Sequence, residues 1–120
     1  MLSKRDNNKL ILRLDKGEDL FSSLYEIVKQ ENIQSCWING IGLLEEVEIG
    51  SYDLEKKEYN RCQLDGTYEL TSLMGNLSTK EGMPFLHLHV SLSDHSCKSY
   101  GGHLFSAKIN VTGEFILNIL

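Results

Sequence analysis

Only one stretch of this 120-residue sequence, Glu18 to Gln30, carries helical spacing, and nearly all the remaining apolar residues fall at strand spacing. Leu20, Phe21, Leu24, Ile27 and Val28 stand at i, i+1, i+4, i+7 and i+8, which is one face of a helix. Glu18 and Asp19 are expected in its first turn, where the helix dipole favours negative charge. The helix is expected to stop near Asn32. Ahead of it, Leu10, Leu12 and Leu14 alternate as in a strand, and Asp15-Lys16-Gly17 breaks the pattern. After it come Ser35–Ile41 with Gly42 as a bend, Val47–Tyr52 with Gly50 as a bulge, a weaker Tyr59–Leu64, and Tyr68–Leu77 interrupted at Gly75. Phe85–Leu92, opened by Pro84, then His103–Val111 and Glu114–Leu120 complete the set. Trp37 is expected in the core.

The spacing predicts an α+β fold: a β-α-β start, then mostly antiparallel strands forming one curled sheet with a single main helix. A sheet must bury its apolar face, and one helix cannot cover both faces of a sheet this large. The sheet must therefore curl on itself, or a second subunit must cover it. Both are expected.

Length and composition fit one domain over residues 1–120. There is a single proline, no linker-like segment and no internal repeat. The formal net charge is -5, the isoelectric point is about 5.3, and the longest basic run is Lys56-Lys57. Proteins that bind DNA draw most of their affinity from neutralising phosphates, so these figures argue against direct DNA binding. Met1–Asn8 is polar and lacks the apolar centre of a signal peptide. No apolar run approaches the ~20 residues of a membrane span. Cys36, Cys62 and Cys97 are odd in number and lack CxxC spacing. Reduced thiols and a cytoplasmic location are expected.

Phe85-Leu86-His87-Leu88-His89-Val90 carries the chemistry. On a strand, residues i and i+2 share a face, so His87 and His89 project together and Leu86, Leu88 and Val90 point the other way. If this segment forms a hairpin with Gly101-Gly102-His103 centred on Ser96, then His89 faces His103 directly. Directly opposed residues have Cβ atoms roughly 5 Å apart, so three imidazoles would converge. Three histidines suit a divalent transition metal: zinc first, with iron, nickel and copper as alternatives. Three protein ligands leave a position open for water or a small ligand. Glu69 and Asn76 are candidates, by residue type, to hydrogen-bond the outer nitrogens of the ligating rings. The plainer reading is a polar pocket or subunit contact without metal.

Ser93-Asp94-His95-Ser96 reads as a turn, with His95 solvated and Asp94 serving the turn. Cys97 reads as an inert thiol in the same loop. No phosphate-cradling loop and no GxSxG elbow is present. A cupin HxHx4E site fits poorly, because the residue five beyond His89 is Asp94 rather than Glu and no second cupin motif follows.

Several segments jointly resemble one family. They are Ile38-Asn39-Gly40-Ile41-Gly42, Gly50-Ser51-Tyr52-Asp53, Glu69 to Asn76, Gly82-Met83-Pro84, His87 to Leu92 and Gly101-Gly102-His103-Leu104. In order and spacing they resemble the plant and prokaryote conserved (PPC) domain over about Leu10 to Leu120. The resemblance implies a curled sheet with one helix, a homotrimer, and a metal or ligand site on the HxH and GGH histidines. In plants the domain follows AT-hook segments that bind the minor groove. This chain has no Arg-Gly-Arg-Pro hook and is closer to a free-standing prokaryotic member.

Three functional readings follow. The first is a homotrimer with a three-histidine metal or small-ligand site. The second is a DNA-associated regulatory accessory acting through a protein partner. The third is a trimerisation scaffold without metal.

Overall fold

The computed structural model describes residues 1–120. The alternation at Leu10, Leu12 and Leu14 becomes the strand Lys9–Asp15, here β2, with all three leucines buried. Ahead of it, Leu2–Asp6 forms β1, which pairs with β2 through a two-residue turn at Asn7 and Asn8. The sequence gives no signal for β1 because all five of its side chains are exposed. Its backbone ladder pairs it with β2, and Arg5 ties it to the end of the helix through the Glu31 carbonyl oxygen at 2.8 Å.

The helix α1 spans Leu20–Gln30 and buries Leu20, Ser23, Leu24, Ile27 and Val28, so the apolar stripe is the inward face. Asp19 stands before the first turn as the N-cap, and its carboxylate accepts from the Ser22 N–H at 2.9 Å. Asp satisfies one of the orphan N–H groups that every helix start exposes. Glu18 lies outside the helix as well. Its carboxylate accepts from the Asp15 N–H at 2.7 Å and pairs with the Met1 amino group at 3.1 Å. The expectation of two acidic residues inside the first turn is therefore corrected. The helix ends at Glu31, and Asn32 takes a left-handed φ of 54°.

The remaining strands are fewer and longer than the sequence pattern suggests. Ser35–Ile41 and Val47–Tyr52 are parts of one strand, β3 (Cys36–Asp53). Tyr59–Leu64 and Tyr68–Leu77 merge into β4 (Glu58–Lys80). β5 is Met83–Ser93 and β6 is Ser99–Ile119, which absorbs both C-terminal segments. Between β3 and β4 the register shifts at Gly40/Gly42 and at Glu45/Val47. A bulge breaks the alternation of side chains while the backbone ladder continues, so it resembles a strand end in sequence. Gly75 does not interrupt β4 either. It pairs with Ile38 on one side and Leu88 on the other.

All six strands join one sheet in the order β1-β2-β6-β3-β4-β5, and every pairing is antiparallel. β2 and β3 flank β6 and are joined through α1, which makes the β-α-β start. β5 also pairs with β6, so β3, β4, β5 and β6 close into a ring. The strands and the helix share a single core of 26 residues that includes Leu12, Leu24, Leu44, Leu73, Leu88, Ile109 and Phe115. Each fully buried aliphatic or aromatic side chain contributes about 1.5–3 kcal/mol. The helix packs on this core, and its Tyr25 hydroxyl accepts from the Leu86 N–H at 3.0 Å.

Trp37 lies outside the core, at 39% exposure. Cys36 and Ile38 point inward, and strand alternation puts the residue between them on the outer face. Ile11, Ile41, Met74 and Ile116 are exposed on that same side of the sheet. The row Ile11–Ile116–Asn39–Met74–His89 runs across it in register.

Candidate metal centre

β5 presents His87 and His89 outward, while Leu86, Leu88 and Val90 are buried. Gly75 makes this arrangement tight. A Cβ there would run into the His87 carbonyl oxygen and lie 2.8 Å from Leu88 Cα, so only glycine lets β4 approach β5 this closely. Gly102 does the same for β6, where a Cβ would stand 2.6 Å from the Gly50 carbonyl oxygen.

The β5–β6 turn fixes the third histidine. The Asp94 carboxylate accepts from the N–H groups of Ser96 (2.8 Å) and Lys98 (2.9 Å) and from the Tyr100 hydroxyl (3.1 Å). These donors, Lys98 first, hold its pKa below the usual carboxylate range. His95 and Cys97 are exposed in this turn. The strands then pair Ser93 with Ser99 and His89 with His103, the hairpin centred on Ser96 that the sequence implies.

The three imidazoles converge. Their ring centroids are 5.1 Å (His87–His89), 5.2 Å (His87–His103) and 5.7 Å (His89–His103) apart. One nitrogen from each lies within 4.8 Å of the others. The sequence matches the family model of the Plants and Prokaryotes Conserved (PCC) domain over residues 1–120. The chain belongs to this family.

Solved structures agree with the PCC assignment. A plant- and prokaryote-conserved protein of Pyrococcus horikoshii is 39% identical, with a TM-score of 0.87 over 99% of this chain and 81% of that one. A metal-containing protein of Archaeoglobus fulgidus is 38% identical, with a TM-score of 0.86 over 99% of this chain and 85% of that one. A "putative DNA binding protein" of Bacteroides thetaiotaomicron is 29% identical, with a TM-score of 0.93 over 98% and 82%. No curated protein matches the chain significantly. No helix of this chain is long and apolar enough to cross a membrane.

The three histidines of this PCC chain could together hold a metal ion. His103 is half-buried, and its pKa is pushed below the ordinary histidine value by burial first, then by His87, His89 and Arg61. A neutral imidazole keeps a lone pair for coordination. His103 Nδ1 is buried and has no hydrogen-bond partner. A buried polar atom left unpaired is costly, and a cation bound through Nδ1 would relieve that cost. Three nitrogens around a tetrahedral zinc stand about 3.4 Å apart, given Zn–N distances near 2.1 Å. Small side-chain rotations of the exposed His87 and His89 would close the remaining gap.

Asn76 stands directly across from His87 on β4 and borders, with Trp37, Met74, Gly75, His87 and His89, a shallow cavity of about 400 Å³. Glu69 is elsewhere. It pairs with Ser93 and Leu43 and borders a different cavity with Thr71 and Thr112. Four residues along β5 separate its partner Ser93 from His89, about 13 Å. One chain therefore brings Asn76 to the histidines and leaves Glu69 away from them.

Two aromatic rings stand beside His103: alternation on β6 announces Phe105, and nothing in the sequence announces Tyr59. Tyr59 lies 4.8 Å and Phe105 4.6 Å from the His103 ring, centroid to centroid. Gly50 on β3 pairs with Arg61 on one side and His103 on the other, which sets this neighbourhood. Three strands far apart in sequence meet at one glycine, and no local pattern announces it.

Proposed function

We propose that this PCC protein is a single-domain homotrimer that holds one divalent transition metal, zinc first, on His87, His89 and His103. Iron, nickel and copper are the alternatives. The reading is carried by the convergence of three imidazoles on one face, with their nitrogens within 4.8 Å. The 38% identity to a metal-containing protein supports it. In this reading Asn76, across from His87 on β4, hydrogen-bonds that ring and holds its orientation; their register pairing supports it. Bound metal would leave a position open for water or a small ligand, the arrangement of sites that polarise or hold a substrate rather than of closed structural sites. The count of three comes from the family resemblance; the exposed Ile11, Ile41, Trp37, Met74 and Ile116, an apolar face that the single helix leaves uncovered, support only that a subunit contact covers it. A cytoplasmic setting fits three unpaired cysteines.

Elemental analysis of untagged native protein beside a His87→Ala/His89→Ala variant tests the site. Near one equivalent per chain in the native protein, lost in the variant, is expected. Metal absent from both after incubation with each ion would refute the reading and leave a trimeric scaffold without metal. Sedimentation equilibrium tests the assembly. A native mass three times that of the chain is expected, with dissociation in Ile11→Asp/Ile116→Asp.

A second reading is favoured by the 29% identity to a "putative DNA binding protein". In it the protein is a regulatory accessory that reaches DNA through a basic partner, because its own net charge is -5. An electrophoretic shift with DNA at low salt, by the chain alone, would contradict the need for such a partner.

A further inference from the structure

The face that carries the histidines continues into an aromatic shelf with a guanidinium at its edge. Tyr52 and Tyr59 pack edge to face at 5.3 Å, and Tyr59 and Phe105 do so at 5.1 Å. Tyr59 leans on His103 at 4.8 Å. The Arg61 guanidinium carbon sits 3.9 Å from the Phe105 ring centroid, and His103 lies on the same ring at 4.6 Å. Arg61 is therefore no further from the histidine cluster than those two spans together. Strand alternation puts all of these side chains on one side of the sheet. Tyr59 and Arg61 are two residues apart on β4, Tyr52 stands across from Tyr59, and Gly50 stands between Arg61 and His103 without a side chain to part them.

Arg61 is held but not used up. Glu48 accepts from Nη2 alone, and no other protein acceptor meets the guanidinium, which carries five N–H donors. Tyr52 is 50% and Tyr59 38% exposed, so both rings offer a surface to another molecule. The Tyr52 and Tyr59 planes stand at 76°, so a planar hydrophobic body would stack on one ring and meet the other with its edge, and a negative group would be drawn by both the metal and Arg61. Aromatic surfaces stack with such a body, and guanidinium groups pair with carboxylates through parallel hydrogen bonds.

We propose that the ligand of this site is a small aromatic carboxylate, with its ring on Tyr52 and Tyr59 and its anionic group between the metal and Arg61. This rests on the three-histidine metal reading. It names the ligand class that the open coordination position would accept.

Cobalt(II) serves as a visible reporter in place of the native metal. Cobalt-loaded protein is titrated with benzoate, with acetate (which lacks the ring) and with phenol (which lacks the carboxylate), and the cobalt absorption bands are followed. Bound cobalt is quantified in every variant, and circular dichroism checks folding, so a lost metal or fold is not mistaken for a lost ligand. Benzoate is expected to bind about tenfold tighter than acetate, the size of one aromatic contact, and phenol more weakly than benzoate. Tyr59→Leu should bring the benzoate-to-acetate ratio close to one. Arg61→Gln should weaken both carboxylates and leave phenol unchanged. Equal affinity for benzoate and acetate in the native protein, or an unchanged ratio in Tyr59→Leu, would overturn the proposal while leaving the metal site standing. Absence of cobalt bands before any benzoate is added would overturn the metal reading itself, and this proposal with it.

Discussion

Replacing Gly75 with Ala tests whether the close approach of β4 to β5 builds the histidine face. The added Cβ would meet the His87 carbonyl oxygen, stand 2.8 Å from Leu88 Cα and 2.9 Å from Leu88 Cδ2. Carbon atoms in good contact stand about 3.5–4.0 Å apart, so the strands must part by roughly 1 Å. Two of the three obstacles are backbone atoms, which no rotamer change removes. Overpacking of this kind costs about 1–3 kcal/mol. Alanine recovers about 0.5–1 kcal/mol by ordering less costly backbone than glycine. The net loss is about 1–2 kcal/mol, which for a domain of this size lowers Tm by roughly 4–8 °C. His87 moves with the strand, so zinc affinity should fall about tenfold, the lower end of what misplacing a ligand's support costs. Calorimetry at fixed protein concentration and chelator competition measure the two effects. Gly101→Ala is the internal comparison, because its Cβ would meet only the Val90 carbonyl oxygen at 3.0 Å and Ser91 Cα at 3.9 Å. An unchanged Tm and zinc affinity in Gly75→Ala would refute the close-approach reasoning.

Three other outcomes follow from the packing and the titrating groups. Phe115 is 1% exposed and its ring occupies the space above Gly40 and Gly113, so Phe115→Ala should cost about 3–5 kcal/mol in urea unfolding. Asp94→Ala should loosen the β5–β6 turn. The native carboxyl has a lowered pKa, so its contribution is present above the unfolded value of 3.8 and is lost as pH falls below it. The Tm gap between native and variant should therefore shrink on acidification through that range; a gap independent of pH would count against it. Cys36 is buried and its thiol is pushed up to about 11, mainly by burial, whereas Cys62 and Cys97 are exposed. A thiol reagent at pH 8 should modify two cysteines in the native protein and three after denaturation. A raised thiol pKa favours the folded state below the unfolded value of 9.0, and that advantage should fade as pH rises from 9 towards 11.

Much of this protein is legible in its sequence because side-chain periodicity is local. The 3.6-residue spacing from Leu20 to Val28 marks the helix and its buried face, and alternation at Leu10, Leu12 and Leu14 marks a buried strand. His87 and His89 share a face for the same reason, and the spacing to His103 implies the hairpin that faces His89 with His103. What the sequence leaves open depends on pairing between distant segments. β1 has no buried side chain to announce it, and the bulges at Gly40/Gly42 and Glu45/Val47 disguise one long strand as two. Trp37 has the size of a core residue, yet the register turns it outward. Asn76 stands across from His87 on the neighbouring strand, while Glu69, equally suitable by type, stands across from Ser93. Phe105 shares the face of His103 by local alternation on β6, whereas Arg61 and Tyr59 come beside His103 only because β3 brings Gly50 between β4 and β6. A shift of one residue in any of these ladders would turn the whole set of side chains to the opposite face. The sequence by itself therefore determines the helix, the buried strand cores and the histidine pair, and the tertiary pairing decides the strand lengths, the edge strand β1 and which other side chains share the histidines' face.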